Sequence, residues 1–143
     1  MIDLIFGQEF SKKVIPLIDS AQHTIKIIVF DWRWYPMDPS NPVQLFNQAF
    51  VRAKNRGVKI EVISNTEETL RTLKSLGIDA KRPSIKNLIH AKMMLIDGKT
   101  LIIGSHNYTQ SAFTMNYEVS IIIENFEKAD AVNQFFNNLF FYQ

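Results

Sequence analysis

Apolar positions along the chain switch repeatedly between a helical and an extended period. Residues 8–20 place Phe10, Val14, Leu17 and Ile18 at helical spacing, blemished by Pro16, and predict an opening helix. Residues 23–30 are rich in β-branched side chains and predict a central strand. Residues 31–39 follow, a segment broken by Pro36 and Pro39 whose aromatics and Arg33 are unusual loop filler, so it is expected at the rim of a site. Residues 42–56 resume a helix with Val43, Phe46, Ala49, Phe50 and Ala53 inward and Gly57 as C-cap. Residues 58–63 alternate as a strand, 66–76 form a short helix with a Thr-Glu-Glu cap region closed by Gly77, and 78–81 make a brief strand. Two strands, 91–96 and 100–104, flank Asp97-Gly98-Lys99 as a β-hairpin. Residues 108–116 read as a loop or one helical turn, 117–123 as a strand and 126–140 as a closing helix with Phe126, Val132, Phe135, Phe136, Leu139 and Phe140 apolar. Strands and helices in alternation argue an α/β chain built on a mixed sheet flanked by helices. With no repeat, linker or low-complexity tract, residues 1–143 are expected to form one domain.

Composition changes this picture little. A chain of 143 residues can bury a sizeable core, and a formal charge of +2 is too small to announce a nucleic-acid binder. Charge is clustered, however: Lys81, Arg82, Lys86 and Lys92 form the densest positive stretch and lead into the hairpin. Such runs are commonly solvated, but next to a site this one suits phosphate-backbone tracking. Zero cysteines exclude disulfides, zinc thiolate sites and thiol catalysis. The chain shows neither a secretory leader pattern nor an apolar run of spanning length, so the expectation is a soluble cytoplasmic protein with no membrane partner.

Chemistry is concentrated in the hairpin. With Gly98-Lys99 as a two-residue loop, His90 opposes Asn107 and Lys92 opposes Ser105; with Asp97-Gly98, His90 opposes Ser105. Opposed residues share a face, so both registers gather His90, Lys92, Ser105 and Asn107 on one side. A three-residue loop would send Ser105 and Asn107 to the other face. An imidazole serves as nucleophile or proton carrier, Lys92 as fixed positive charge, and Ser105 and Asn107 as neutral donors, a set suited to a tetrahedral oxyanion. Gly104, lacking a Cβ, would let a ligand oxygen approach the backbone. No further His, Asp or Glu lies at metal-ligand spacing here, so the reading is phosphoryl chemistry with no metal and no cofactor.

The pattern His-x-Lys-x4-Asp-x6-Gly-Ser-x-Asn, here His90, Lys92, Asp97, Gly104, Ser105 and Asn107, resembles the signature of the phospholipase D superfamily. That resemblance implies a phospholipase D-like fold, a mixed sheet with helices on both faces, and a metal-independent phosphodiesterase working through a phosphohistidine on His90. Lys92 and Asn107 would hold the nonbridging oxygens, Ser105 assisting. Glu118 matches an orienting carboxylate of short, single-motif nucleases of the family. Asp97 carries the motif's carboxylate, although Asp-Gly is a favoured hairpin turn in any protein.

Displacement at a diester also needs a second proton carrier, and the family usually has two motif copies, in one long chain or from two short chains, where this sequence has one. The active species is therefore expected to be a homodimer with both His90 residues at the two-fold axis. Short length favours an endonuclease cleaving DNA or RNA. Phospholipid cleavage is the alternative enzyme, and a nucleic-acid-binding module with little turnover the alternative from another class. Trp32, Arg33 and Lys86 complete the expected substrate contacts, with Trp32, Trp34 and Tyr35 equally readable as core or interface aromatics. His23 and His106 are read as ordinary polar residues.

Overall fold

The strand residues that alternate or run apolar in the sequence assemble into one seven-stranded sheet. In this computed structural model, which describes residues 1–142, the elements are β1 (Ile2–Phe6), α1 (Phe10–Ser20), β2 (Thr24–Val29), α2 (Pro42–Asn55), β3 (Lys59–Ser64), α3 (Glu67–Ser75), β4 (Asp79–Lys81), β5 (Met93–Ile96), β6 (Thr100–Gly104), α4 (Gln110–Thr114), β7 (Val119–Ile123) and α5 (Ala129–Phe140). The sheet order is β1-β7-β6-β5-β2-β3-β4. β2, β3 and β4 are parallel and the remaining pairs antiparallel, so the sheet is mixed as expected.

Helices cover both faces. Ile25, Ile27, Met94 and Ile102 point to a core shared with Val14 and Ile18 of α1, Phe46 and Phe50 of α2, Leu70 and Leu73 of α3 and Phe113 of α4. Ile28, Ile63, Met93 and Leu101 point the other way, onto Phe136 and Phe140 of α5. Covering both faces is why β3 is buried along nearly its whole length, Glu61 included, where the sequence reads as a half-exposed alternating strand. Residues 1–7, given no element by the periodicity, supply the edge strand β1. Thr66 stands at the N-cap position of α3 without capping it, because its hydroxyl is turned to Asp31 Oδ1 at 2.9 Å.

Strand direction places the chemistry. β2 and β3 end, β5 begins, β6 ends and β7 begins at the same edge of the sheet. Residues 30–33, 64–66, 89–92, 104–108 and 118 are thereby gathered at that edge. The turn of the hairpin, with Asp97, lies at the opposite edge. Among the described residues no helix is long and apolar enough to cross a membrane.

Candidate active site

The hairpin takes neither two-residue register. Met93 pairs with Ile103 and Ile96 with Thr100, leaving Asp97, Gly98 and Lys99 as a three-residue loop. Extended along the strands, this parity sets Lys92 beside Gly104 and would carry Ser105 to the other face. β6 ends at Gly104 and the chain bends there, so Ser105 and Asn107 leave the ladder at the same edge of the sheet at which His90 and Lys92 enter it. Gly104 N–H still donates to Lys92 O, at 3.3 Å, and Ser105 N–H donates to Val119 O at 3.0 Å.

Lys92 and His90 form the centre. The Lys92 ammonium lies 3.1 Å from Nδ1 and 3.3 Å from Nε2 of His90 and donates to the His90 carbonyl at 2.9 Å. Phe30, at the end of β2, sits beneath both, its ring 5.0 Å from the imidazole and 5.6 Å from Lys92 Nζ. Burial pushes the Lys92 pKa below that of an ordinary lysine, and the Glu118 carboxylate opposes that shift.

Asn107 reaches the same edge from the other side. Its amide oxygen accepts from the Asp31 N–H at 3.1 Å, which fixes the amide's orientation and leaves its N–H donors without a partner among the described residues. The Asp31–Arg33 backbone is clamped to Tyr108 by Tyr108 N–H to Asp31 O at 3.0 Å and Arg33 N–H to Tyr108 O at 2.9 Å. Asn65 ties the adjoining segments, donating to both Phe30 O at 3.3 Å and Ile89 O at 2.8 Å. Sequence reading singles out neither Phe30 nor Asn65: one looks like the last core residue of a strand, the other like a turn residue.

Several expected roles are corrected. Within one chain the Glu118 carboxylate does not meet His90; its oxygens accept from Ser105 Oγ at 2.6 Å and Asn116 Nδ2 at 3.0 Å. The Ser105 hydroxyl proton is thus engaged by a carboxylate within the chain, so Ser105 is not a free donor for a ligand oxygen. Gly104 is glycine for a packing reason, since a Cβ there would collide with the Ser120 side chain, the Ser120 Cα and the Val119 carbonyl of β7. Trp32 is core: fully buried, edge-on to Phe50 and Tyr108, its indole N–H on Asn47 Oδ1 at 2.6 Å. Arg33 is exposed at the rim but already paired with Asp31 at 2.8 Å. His106 is also core, stacked on Phe10 between Ser120 Oγ and Gly7 O, and burial pushes its pKa down.

Asp97 lies at the far edge and ties the hairpin turn to the entry of β2. It adopts φ 53°, and its carboxylate accepts from the N–H groups of Gln22, His23 and Thr24 at 2.9, 2.7 and 3.1 Å. Burial works against its ionisation, but these backbone donors outweigh burial and hold its pKa below the usual aspartate value. Asp97→Asn keeps a residue that tolerates this backbone and removes the charge, and is expected to lower stability by about 1–2 kcal/mol. Because the folded pKa is depressed, that contribution is present above the unfolded value of about 4 and disappears as pH falls through the folded one. Urea melts of both proteins should therefore differ at pH 7 and converge below about pH 4; a gap that persists at low pH would show that the charge is not responsible.

The basic run is partly engaged. Lys81 Nζ lies 4.1 Å from the Phe140 ring centroid and Arg82 pairs with Glu67 at 2.8 Å. Lys86 is exposed and, with Lys74, Lys81 and Arg82, lines a groove of about 570 Å³ that ends at Ile89, next to His90. Among the described residues no three His, Asp or Glu side chains converge as a metal ion would require. The positive charge facing His90 is the Lys92 ammonium.

Known proteins resemble this chain in sequence and in fold. A family model described as cardiolipin synthase, PLD-like domain, matches residues 14–140. A phospholipase D of Rickettsia conorii is 34% identical over 96 residues, covering 63% of this chain and 48% of its own. The chain thus spans about half the length of that relative. The crystal structure of a phospholipase D family member, Nuc from Salmonella typhimurium, matches with a TM-score of 0.80 at 22% identity over 97% of this chain and 94% of that one. NucT from Helicobacter pylori matches with a TM-score of 0.79 at 21% identity over the same shares, 97% and 94%. At such identities the structural likeness speaks for the fold.

Proposed function

This chain belongs to the phospholipase D superfamily, and on that premise we propose that it is a metal-independent phosphodiesterase that cleaves nucleic acid as a homodimer. The observation that carries the reading is the Lys92 ammonium against the His90 imidazole, at the sheet edge where Asn107 also arrives. In the first step a ring nitrogen of one His90 attacks phosphorus, forming an N–P bond as the P–O bond to the leaving group breaks. The His90 of a second chain gives its proton to the departing oxygen. That second imidazole then takes a proton from water, whose oxygen displaces the first histidine and releases a phosphomonoester. Lys92 and Asn107 stabilise the charge on the nonbridging oxygens. Glu118 acts through Ser105 and through its charge on Lys92.

The groove of about 570 Å³ favours a polynucleotide over a lipid, since its four cations face one acid, Glu67, which is itself paired with Arg82. The test offers single-stranded DNA, RNA, phospholipid vesicles and a small chromogenic diester to the enzyme in EDTA. Polynucleotide and small diester should both be cleaved. In Lys74→Ala/Lys86→Ala, KM for the polynucleotide should rise about tenfold at physiological salt, and the slope of log affinity against log salt should weaken by about 1.4. Turnover of the small diester should not change. Cleavage confined to vesicles, or abolished by EDTA, overturns the reading.

A further inference from the structure

His90 and Lys92 stand outside the sheet. β4 ends at Lys81 and β5 begins at Met93, so residues 82–92 cross from one strand to the other without a ladder of their own. The last pair beside them is Ile28 with Met93, after which β2 and the segment entering β5 part. A nucleophile on such a connection needs a tether, because attack at phosphorus demands a ring nitrogen held about 3–3.5 Å from the reacting atom.

Asn65 supplies one. It follows the buried strand β3 directly and lies two residues before α3, so two elements fix its backbone. Its carbonyl also accepts from Arg82 Nη1 at 3.4 Å, and Arg82 is paired with Glu67 in the first turn of α3. From that mount the half-buried side-chain amide spans the gap where the ladder stops. Its Nδ2 donates to Phe30 O at 3.3 Å and to Ile89 O at 2.8 Å, so both amide protons are used. The end of β2 is thereby tied to the residue before His90.

Thr66 does the same for the other side of the site. Its hydroxyl donates to Asp31 Oδ1 at 2.9 Å and accepts from the Trp32 N–H at 3.1 Å. The Asp31 N–H is the group on which the Asn107 amide oxygen rests. Two adjacent residues at one strand end therefore hold the backbone behind His90 and the backbone behind Asn107.

We propose that Asn65 is a positioning residue for His90 and that, with Thr66, it sets the spacing between the nucleophile and the Asn107 donor. The inference rests on His90 as the nucleophile, as proposed above, and adds the residues that aim it. Both act through the backbone they hold, from a rigid strand end, which is where precise sites are supported. A misplacement of about 1 Å at a reacting group costs on the order of a hundredfold in rate.

The test compares wild type with Asn65→Leu, which keeps the side-chain size and removes both donors, with Asn65→Gln, which keeps the donors on a longer arm, and with Thr66→Val. Arg56→Leu is the control for lost stability, since it removes hydrogen bonds to Ile18 O and Ala21 O at the opposite edge of the sheet. Each is assayed on the small diester well below its own Tm. Asn65→Leu should lower kcat about a hundredfold with KM within about twofold of wild type, and Thr66→Val about tenfold. Asn65→Gln should recover about tenfold of the loss, and Arg56→Leu should lower Tm without lowering kcat. Asn65→Ser, whose hydroxyl reaches one carbonyl at most, repeats the comparison with a smaller change should the leucine variant not fold.

A second readout needs no turnover. Backbone ¹⁵N order parameters at residues 89–91 should fall from about 0.85 to below about 0.6 in Asn65→Leu and stay unchanged in Arg56→Leu. Unchanged order parameters with kcat within about threefold of wild type overturn the assignment. A kcat loss that Arg56→Leu shares makes Asn65 a residue of stability alone and overturns it as well. Wild type that cleaves no diester removes the proposed reaction, while order parameters that still fall in Asn65→Leu leave the tether standing.

Discussion

Replacing His90 with alanine is expected to lower kcat for diester cleavage by about 10⁴-fold or more, while Tm stays within about a degree of wild type. The two halves of this result have separate causes. His90 is exposed, and its side chain lies against Lys92 and the Phe30 ring, so truncation leaves no cavity in either core and stability should change by less than about 0.5 kcal/mol. Activity should collapse because, in the proposed reaction, the imidazole is the nucleophile in one chain and the proton carrier in the other, so one substitution removes both groups from the paired site. Lys92, Asn107 and the groove remain in place, so the variant should still bind a polynucleotide with nearly wild-type salt dependence. A residual rate within tenfold of wild type would show that another residue attacks phosphorus.

Lys92→Met should cost about 10²–10³ in kcat/KM for any diester, as expected when one donor to a developing oxyanion is lost, or about 2.7–4 kcal/mol. Methionine keeps an unbranched apolar stem and removes the ammonium, which lies 5.6 Å from the Phe30 ring centroid. The pH profile gives this prediction its specificity. Burial lowers the pKa of the Lys92 ammonium, so its charge is lost at a lower pH than the usual lysine value of about 10.4. Wild type should show an alkaline limb below that value, and Lys92→Met should lack it. An unchanged alkaline limb in the variant would assign the titration to another group.

Much of the fold could be read in the sequence because the determining signals are local. The apolar stripe of α2 is buried at each expected position, and Gly57 and Gly77 take the positive φ expected after helix ends. What could not be read depends on contacts distant in sequence. The hairpin register is the clearest case. Asp-Gly favours a two-residue turn, but here Asp97 is held at φ 53° by N–H groups more than seventy residues away, which adds a residue to the loop. Parity predicts that Ser105 is then lost from the site, yet Ser105 lies beyond the last ladder pair, where β7 rather than β5 directs the chain.

The candidate site divides along the same line. His90, Lys92 and Asn107 were legible from residue chemistry and spacing, and they lie where the topology brings strand ends together. Trp32 and Glu118 were not. An aromatic in a proline-broken loop gives no sign of whether it faces solvent, and Trp32 turns inward because Asn47 of α2 accepts its indole N–H. The carboxylate of Glu118 finds Ser105 first, a pairing visible only once β6 and β7 lie side by side. The close approach that Gly104 permits is that of a neighbouring strand, a packing demand that appears only once β6 and β7 are paired.

The central claim is that two chains supply one histidine each to a single reaction, and mixing them tests it most directly. Wild type and His90→Ala, co-refolded at fixed total concentration in varying ratio, form pairs at random. If both imidazoles are required, diester cleavage should follow the square of the wild-type fraction, about one quarter of full activity in an equal mixture. A linear dependence, with about one half remaining, would mean that each chain works alone and would contradict the shared site.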